Sequence, residues 1–222
     1  QEKIIKISDF LAHLNDKIKT LINLYKKQLT YLIYRYTNNK SKYKLKTLCD
    51  LKRGYSFKNY TKSGYKIIKI SNIQNGHIEF LDKDDNIPNL NNKFILNKDD
   101  FIVALVGSNV GKIGLYNKQD IVMFNNGVAK FTNFNLQYIF PKYLYYYLRQ
   151  NEKMINNKAH GTCQPNVTPK DILSLNIPLI SKGEQQSLIL YCDKIVTLVD
   201  KLDKNVKFNE QKAKLIVQKE LK

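Results

Sequence analysis

The chain has no hydrophobic run long enough to cross a membrane and few cysteines, and these shortages exclude several classes of protein. Its longest apolar run, residues 101–107, is far shorter than the roughly 20 residues that span a bilayer. Residues 1–19 are charged and helical in pattern, so we expect no signal peptide. The three cysteines, Cys49, Cys163 and Cys192, are widely spaced, which argues against a disulfide framework or a zinc site. We therefore expect a cytoplasmic protein with no membrane partner.

Catalytic signatures are also missing. The segment GSNVGK at 107–112 resembles a P-loop, but its glycines are too close together, and Ile113 stands where a serine or threonine would hold magnesium. His160 and Cys163 could form a nucleophile pair, but their proximity in one loop is weak support for it. No dinucleotide fingerprint, amino-methyltransferase signature or restriction-type nuclease motif occurs. The sequence predicts a chain that is not an enzyme and that binds no cofactor and no metal ion.

Acidic residues are scarce relative to basic ones. The 37 lysines and arginines exceed the 19 aspartates and glutamates, giving a net charge of +18 and a pI of about 9.6. Such an excess favours a polyanionic partner, most often nucleic acid. Almost all of the positive charge is lysine, and asparagine, isoleucine and tyrosine are abundant too, so an AT-rich genome is an alternative source of the lysines.

Amphipathic segments occupy both ends of the chain. Up to about residue 39, and again from about residue 183 to 222, apolar residues recur at spacings of three and four. We predict two long helices that pair as an antiparallel coiled coil, with Asn209 as a polar residue that helps to fix the register. The predicted seam consists of Ile4, Ile7, Leu11, Leu14, Ile18, Leu21, Tyr25 and Leu32 in the first helix and of Cys192, Ile195, Val199, Leu202, Val206, Asn209, Ala213 and Ile216 in the second.

The two helical segments also resemble each other. Residues 1–18 align with 185–202, so that Gln1 and Asp9 recur as Gln185 and Asp193. The alternative is chance similarity between two amphipathic helices. We interpret the match as an internal repeat, so that the chain is one repeat preceded by the closing helix of another. Because the chain starts without Met inside the repeated motif, we expect it to be a fragment of a longer protein.

The middle of the chain has the pattern of strands separated by turns. Strands are predicted at 65–71, 101–106, 113–116 and 127–131, between turns rich in Asn, Asp and Gly. A helix is predicted at 141–151, with Pro141 in its first turn. The fold class is therefore α+β: one mixed, β-rich domain flanked by the two long helices.

Three clusters in this domain could contact a nucleic acid. The loop 107–112 places Ser108 and Asn109 between glycines, and the loop before the predicted helix start at Thr168 and Pro169 carries Gln164 and Asn166. Side-chain amides of this kind can pair with an adenine edge. In the third cluster, residues 53–73 interleave aromatic and basic residues. Each cluster also has a structural alternative. The loop 107–112 could be a plain connection between two strands, the amides of Gln164 and Asn166 could stabilise their own loop, and 53–73 could be a strand edge that its lysines keep soluble.

In their order along the chain, these motifs resemble the specificity subunit of type I restriction–modification enzymes. The matching runs are RGYSFKNY…GYKIIKISNIQNGHI (53–78), LNKDDFIVALVGSNVGKIGLY (96–116), PKYLYYYLRQ (141–150) and GTCQPNVTPKDILSLNIPLISKGEQQSLI (161–189). Two departures occur, because 97–100 lacks the usual Gly before Asp and Leu179 is not followed by the frequent second Pro. With the helices included, the resemblance covers essentially the whole chain.

The resemblance implies a DNA-recognition function without catalysis. Residues 41–182 would be a target recognition domain that reads one half of a bipartite site in double-stranded DNA, and residues 1–40 and 183–222 would be spacer helices. The helices would bind modification subunits, which bring S-adenosylmethionine, and restriction subunits, which bring ATP hydrolysis and cleavage; they could also pair two copies of the chain. The competing hypotheses are a coiled-coil protein-interaction module without DNA specificity, and a methyltransferase or nuclease in its own right.

The side chains that we expect to contact DNA fall into two chemical groups. Short polar side chains and amides suit base edges, whereas lysines suit phosphates. The predicted base readers are Ser108, Asn109, Gln164 and Asn166, and the predicted phosphate contacts are Lys58, Lys69, Lys112 and Lys158.

Overall fold

A computed structural model describes residues 2–81 and 85–220, and it divides the chain into two compact units. The first unit contains Gln1–Tyr36 and Ser187–Lys222, and the second contains Thr37–Gln186. Within the described residues, no helix is both long and apolar enough to cross a membrane.

The first unit is a pair of antiparallel helices, as predicted. Helix α1 spans Glu2–Thr37, and the last helix, α5, spans Lys182–Glu220. The antiparallel direction follows from contacts near opposite ends of the helices. Asn209, in the second half of α5, donates to Asn15 at 3.0 Å, whereas Glu184, at the start of α5, pairs with Lys40 just after the end of α1 at 2.9 Å. The seam between them is an apolar cluster centred on three buried side chains, Ile22, Val199 and Val206, with Ile18, Tyr25, Ile195 and Leu202 packed around them.

The predicted seam is right for α5 and partly wrong for α1. Every predicted seam position of α5 is buried or half-buried, including Asn209. In α1 the seam keeps Leu11, Ile18 and Tyr25, but Leu21 is 39% exposed. The side chain of Ile4 and the whole of Gln1 lie outside the part that is described. The other buried residues of α1 are Asn15, Ile22, Leu29 and Ile33. Three of them, Asn15, Ile22 and Ile33, lie one position beyond the predicted Leu14, Leu21 and Leu32.

The paired asparagines give a direct test of this seam. Asn15 is buried, and its side-chain oxygen accepts from Asn209. Asn209→Ala should lower the free energy of unfolding by about 1–3 kcal/mol, because it removes the donor that meets a buried acceptor. Replacing both asparagines by leucine should restore at least wild-type stability, since no polar group then remains unpaired. Urea unfolding followed by helix content measures both; a double variant as unstable as the single one would show that the seam does not pass between these residues.

In the part of the second unit that the structure describes, there are three β-sheets and three short α-helices. The largest sheet has the strand order β2-β11-β8-β9-β5-β4, a four-stranded sheet has the order β6-β3-β10-β7, and β1 pairs with β12. The strands are β1 Lys42–Lys44, β2 Asp50–Arg53, β3 Tyr65–Ile68, β4 Ile73–Gln74, β5 His77–Ile78, β6 Asn86–Ile87, β7 Ile95–Leu96, β8 Phe101–Ala104, β9 Ile113–Leu115, β10 Val122–Phe124, β11 Val128–Thr132 and β12 Asn176–Pro178; the helices are α2 Pro141–Gln150, α3 Glu152–Asn156 and α4 Pro169–Leu173.

The main core of this unit joins the two larger sheets. Ile102 and Val128 from the six-stranded sheet and Ile68 and Phe124 from the four-stranded sheet belong to one buried cluster. Helix α2 adds a row of buried tyrosines whose hydroxyl groups reach backbone carbonyls. Tyr143 donates to Pro178 at 2.6 Å, and Tyr145 donates to Gly76 at 3.0 Å. Burial raises the pKa of Tyr143, so its hydroxyl stays a donor.

The start of α5, up to Gln186, belongs to the second unit and is held there by two neighbouring side chains. Glu184 accepts from the backbone and hydroxyl of Ser181 at 2.8 Å, pairs with Lys40 at 2.9 Å, and has its pKa lowered to about 2 by these donors. Gln185 is fully buried and makes three hydrogen bonds with main-chain groups: it accepts from Phe140 and donates to Tyr138 and Ile180.

Candidate nucleic-acid interface

Four strands of the large sheet place their connecting loops at the same end. The strands β2, β11, β8 and β9 are successive neighbours, and each pair is antiparallel. Because antiparallel neighbours run in opposite directions, the ends of β2 and β8 meet the beginnings of β11 and β9. The segments that leave this end are residues 54–56, 105–112 and 125–127.

The β8–β9 loop is rigidly built. Its backbone closes through hydrogen bonds from Gly111 to Ala104 at 3.0 Å and from Lys112 to Asn109 at 3.1 Å. Gly111 has a φ of +87°, and a Cβ there would lie 3.0 Å from the carbonyl oxygen of Glu152 in α3, so glycine is required. Ser108 at the tip is exposed and Asn109 is half-exposed. The loop therefore presents short polar side chains on a fixed backbone.

Helix α3 holds this loop through two of its side chains. The Glu152 carboxylate accepts from the backbone of Ile113 at 2.9 Å, and the Asn156 amide donates to the Val110 carbonyl at 3.3 Å. Burial raises the pKa of Glu152, although the hydrogen bond and the nearby Arg149 and Lys112 oppose that shift. The carboxylate thus has a structural partner already, and its function is to orient the loop.

The second polar loop, residues 160–166, is closed at its base. His160 and Asn166 exchange two backbone hydrogen bonds, at 2.7 and 2.8 Å. The residues between them project from this closure, and Cys163 and Gln164 are exposed. The loop leads into α4, whose first turn is capped as predicted: Thr168 accepts from Asp171 at 3.2 Å, and Asp171 accepts from the Thr168 backbone in return.

The two polar loops are direct neighbours. The Gly107 amide donates to the Pro165 carbonyl, and the Val167 amide donates to the Leu105 carbonyl, both at 2.8 Å. On its other side, Leu105 donates to Gly127 at 2.8 Å, and Gly54 donates to Val128 at 3.0 Å. A continuous chain of backbone hydrogen bonds thus joins the loops into one surface. We call it the loop edge; it comprises residues 53–55, 106–112, 125–127 and 158–166.

Six of the eight predicted DNA contacts lie on the loop edge. Asn109 is half-exposed and the others are exposed. The six are Ser108, Asn109, Lys112, Lys158, Gln164 and Asn166.

The other two predicted contacts, Lys58 and Lys69, lie off the loop edge. Lys58 is exposed and lines an open groove of about 580 Å³, whose walls include Phe57 and Ile87. The Lys69 ammonium forms an ion pair with Asp85 and lies 4.6 Å from the ring centroid of Tyr60. Its charge therefore has a protein partner in this structure.

Two exposed residues of the loop edge, Arg53 and Asn126, were not among the predicted contacts. Arg53 ends β2, and its Nε donates to the Asn126 carbonyl at 2.8 Å. The following Gly54 lies so close to the segment between β10 and β11 that a Cβ would approach the Asn125 carbonyl oxygen to 2.1 Å. The available sequence signal was a rare arginine, one of three in the chain, directly before a glycine.

The chemistry of the loop edge is polar and cationic. Among the described residues, no group of three or more His, Cys, Asp or Glu side chains could hold a metal ion. Near the second loop, His160 lies 3.8 Å from Asp171, whose pKa is lowered mainly by its hydrogen bonds with Thr168. Cys163 is an exposed thiol, whereas burial raises the pKa of Cys49 and of Cys192 to about 12.

Comparison with known proteins gives one family. The sequence pattern described as "Type I restriction modification DNA specificity domain" matches residues 37–218. No curated protein matches the chain. Among solved structures, the chain is similar to the HsdS subunit from Thermoanaerobacter tengcongensis (TM-score 0.60, 14% identity) and to the S subunit of a type I restriction–modification system from M. genitalium (TM-score 0.58, 15% identity).

Coverage in these two structural matches is unequal. Both extend over 98% of this chain, but over only 56% and 57% of the respective subunits. At such low identities the likeness shows the fold alone. The chain therefore spans a little more than half the length of the solved subunits that it matches.

Proposed function

The chain belongs to the family of type I restriction modification DNA specificity domains, and from this premise we propose that it reads one half of a bipartite site in double-stranded DNA. The observation that carries the proposal is the convergence of two polar loops, remote in sequence, on one end of a sheet. Backbone bonds fix both loops before any ligand arrives, so little ordering is needed on binding. In this proposal, residues 41–182 form the target recognition domain.

The side chains of the loop edge divide between the two tasks of a DNA-binding surface. Ser108, Asn109, Gln164 and Asn166 supply hydroxyl and amide groups that suit base edges, and amides suit adenine in particular. Lys112 and Lys158 supply exposed charges suited to the flanking phosphates.

The two lysines off the loop edge have different prospects as phosphate contacts. Lys58 follows Tyr55, a loop-edge residue whose carbonyl accepts from Asn126, and its charge extends the basic surface beyond that point. Lys69 can reach a phosphate only by leaving Asp85, so we assign it the weakest contribution.

The two long helices have a separate function in this proposal. Residues 1–40 and 183–222 form a spacer that sets the distance between half-sites; about 40 residues at ~1.5 Å each give roughly 60 Å. Exposed apolar side chains such as Phe10, Tyr31 and Phe208 remain on this pair of helices after the seam is formed. We propose that modification and restriction subunits bind there and catalyse the reactions, and that this chain recognises the DNA sequence without catalysing a reaction.

A thiol-protection experiment tests where DNA binds. Cys163 lies beside Gln164 on the loop edge and is exposed, while Cys49 and Cys192 are buried, so alkylation of the folded protein should be confined to Cys163. In the complex assembled with modification subunits, cognate duplex at ten times its Kd should slow alkylation about tenfold, since only the free protein reacts. The measurement is the rate of N-ethylmaleimide incorporation by mass spectrometry.

A duplex of the same length and composition without the site is the matched control. At physiological salt it should protect Cys163 far less, because non-specific binding is weaker by orders of magnitude. Equal protection by both duplexes would show that DNA binding at the loop edge is not sequence-specific. No protection by either would favour a protein-interaction module, or a DNA contact made by another face.

A further inference from the structure

Arg53 is the only guanidinium on the loop edge among the residues that the structure describes. The other two arginines are placed differently: Arg35 belongs to α1, and Arg149 is bonded to the Asn75 carbonyl and the Tyr145 hydroxyl. Arg53 is exposed at the end of β2, the edge strand of the large sheet. Its position at the loop edge is therefore not explained by a structural bond network like that of Arg149.

A single hydrogen bond orients the Arg53 side chain, and among the described residues its two terminal nitrogens meet no acceptor. Its Nε donates to the Asn126 carbonyl at 2.8 Å, which uses one of the five guanidinium donors and fixes the plane of the group. Within residues 2–81 and 85–220, no carboxylate lies at ion-pair distance and no second acceptor meets the guanidinium. The two terminal nitrogens thus remain as a fork for a ligand with two adjacent acceptors.

The backbone that carries Arg53 is held as firmly as the loops beside it. The residue pairs with Ala129 in the sheet register, and the next residue, Gly54, is pressed against the Asn125 carbonyl. Tyr55 then exchanges backbone bonds with the 124–126 segment, at 3.3 Å to Phe124 and 3.0 Å from Asn126. A fork mounted on such a scaffold can select between ligands by geometry as well as by charge.

We infer that Arg53 reads a guanine in the recognised half-site, donating from both terminal nitrogens to the two acceptors that guanine presents in the major groove. This inference rests on the proposed DNA-reading function and deepens it. The proposed base readers of the loop edge carry hydroxyls and amides, which do not form this bidentate pair. Its lysines offer only a point charge, so the planar guanidinium is the side chain that matches O6 and N7 most closely. The half-site therefore contains at least one G·C pair, and its guanine lies where β2 ends.

The test is carried out on the methyltransferase assembled with its modification subunits. Methylome sequencing of a host defines the motif of the wild-type enzyme, and binding to single-base variants of that motif is measured at two salt concentrations. Arg53→Ala should lose discrimination at one G·C pair by about 5- to 150-fold and keep discrimination elsewhere. Arg53→Lys should lose the same discrimination, because an ammonium keeps the charge but not the fork.

Lys52→Ala is the matched control. Lys52 is also exposed and charged, but it precedes Arg53 on the strand and so points to the other face. Its removal should leave base preference unchanged. If Arg53→Ala instead weakened binding to all duplexes equally and lowered the salt slope by about one, with rescue by lysine, Arg53 would be a phosphate contact and the inference would be wrong.

Failure of the inference and failure of the proposed function give different results. If the wild-type enzyme shows a bipartite motif whose half-site lacks a G·C pair, or if Arg53→Ala leaves base preference intact, only the guanine contact is wrong. If the motif does not change when this chain is exchanged for another family member, the proposed function itself fails. Melting temperatures of the variants within a few degrees of wild type establish that a loss is not due to unfolding.

Discussion

Replacing Gln185 by leucine should lower the free energy of unfolding of the second unit by about 3–5 kcal/mol. The amide is fully buried and holds three main-chain groups, which belong to Phe140, Tyr138 and Ile180. Leucine fills a similar volume, so the cost comes from the donor and the two acceptors that lose their partner. Each such group costs about 1–3 kcal/mol when it is buried and unpaired, with incomplete additivity.

The neighbouring residue provides the control. Gln186→Leu makes the same chemical change one position further along α5, where the side chain is exposed, and should alter stability by less than about 0.5 kcal/mol. Urea unfolding followed by near-ultraviolet tyrosine signals compares the two, because the second unit contains the buried tyrosines of α2. Equal, small effects at both positions would mean that solvent or a rearranged loop satisfies the three groups.

The function of Gln185 illustrates what local sequence patterns cannot show. The sequence pattern predicts the start of the second long helix at about residue 183, and Glu184 does form a cap with Ser181 there. Nothing in the neighbouring sequence indicates that the next side chain meets the main chain ahead of α2 at Phe140, 45 residues earlier. Caps depend on adjacent residues, whereas a buried amide depends on which distant segment folds over it.

Elements that depend on local patterns were predicted well. The apolar run at 101–106 contains β8, the proline-started segment at 141–151 contains α2, and the cap at Thr168 begins α4. The predicted strand at 65–71 ends at Ile68, because the chain enters a single helical turn at Ile70–Asn72. There the Asn72 side chain accepts from the Lys69 backbone at 2.8 Å, a bond that competes with strand pairing.

The α1 seam was misplaced even though the sequence contained the information to place it. In the alignment of the repeat, where Gln1 matches Gln185, four residues of α1 are equivalent to seam residues of α5. Leu11, Asn15, Ile18 and Ile22 align with Ile195, Val199, Leu202 and Val206, respectively. Choosing apolar residues alone favoured Leu14 over Asn15, because an isolated helix gives no reason to bury an amide. The partner that justifies the burial is Asn209, on the other helix.

The candidate site shows the same division between local and distant information. The loops 107–112 and 160–166 were identified separately by their glycines and short polar residues. Their contact through Gly107 and Pro165, and the addition of Arg53 and Asn126, follow from the order of strands in the sheet. A single sequence does not specify strand order, because pairing partners are set by packing across the whole unit.

A charge placed in the coiled-coil seam should also strongly lower the free energy of unfolding, in this case that of the helix pair. Ile22 is 4% exposed and packs with Val199 and Val206 at the centre of the seam. Ile22→Asp removes that apolar contact and buries a carboxylate without a partner, so we expect the helix pair to lose about 3–5 kcal/mol. A long helix without a partner is marginal in water, so helix content measured by circular dichroism should fall as well.

Leu24→Asp separates this seam effect from the cost of an aspartate in a helix. Leu24 lies two positions further along α1 and is 57% exposed, so its replacement should cost less than about 1 kcal/mol. The loop edge belongs to the other unit, so alkylation of Cys163 in Ile22→Asp should proceed at the wild-type rate while binding of modification subunits is lost. Loss of that binding in Leu24→Asp as well, with the helices intact, would place Leu24 within the exposed surface to which we propose that modification subunits bind. Because Ile22→Asp removes the pairing of the helices and Leu24→Asp changes only their outer surface, the two variants together separate the need for paired helices from a direct subunit contact at Leu24.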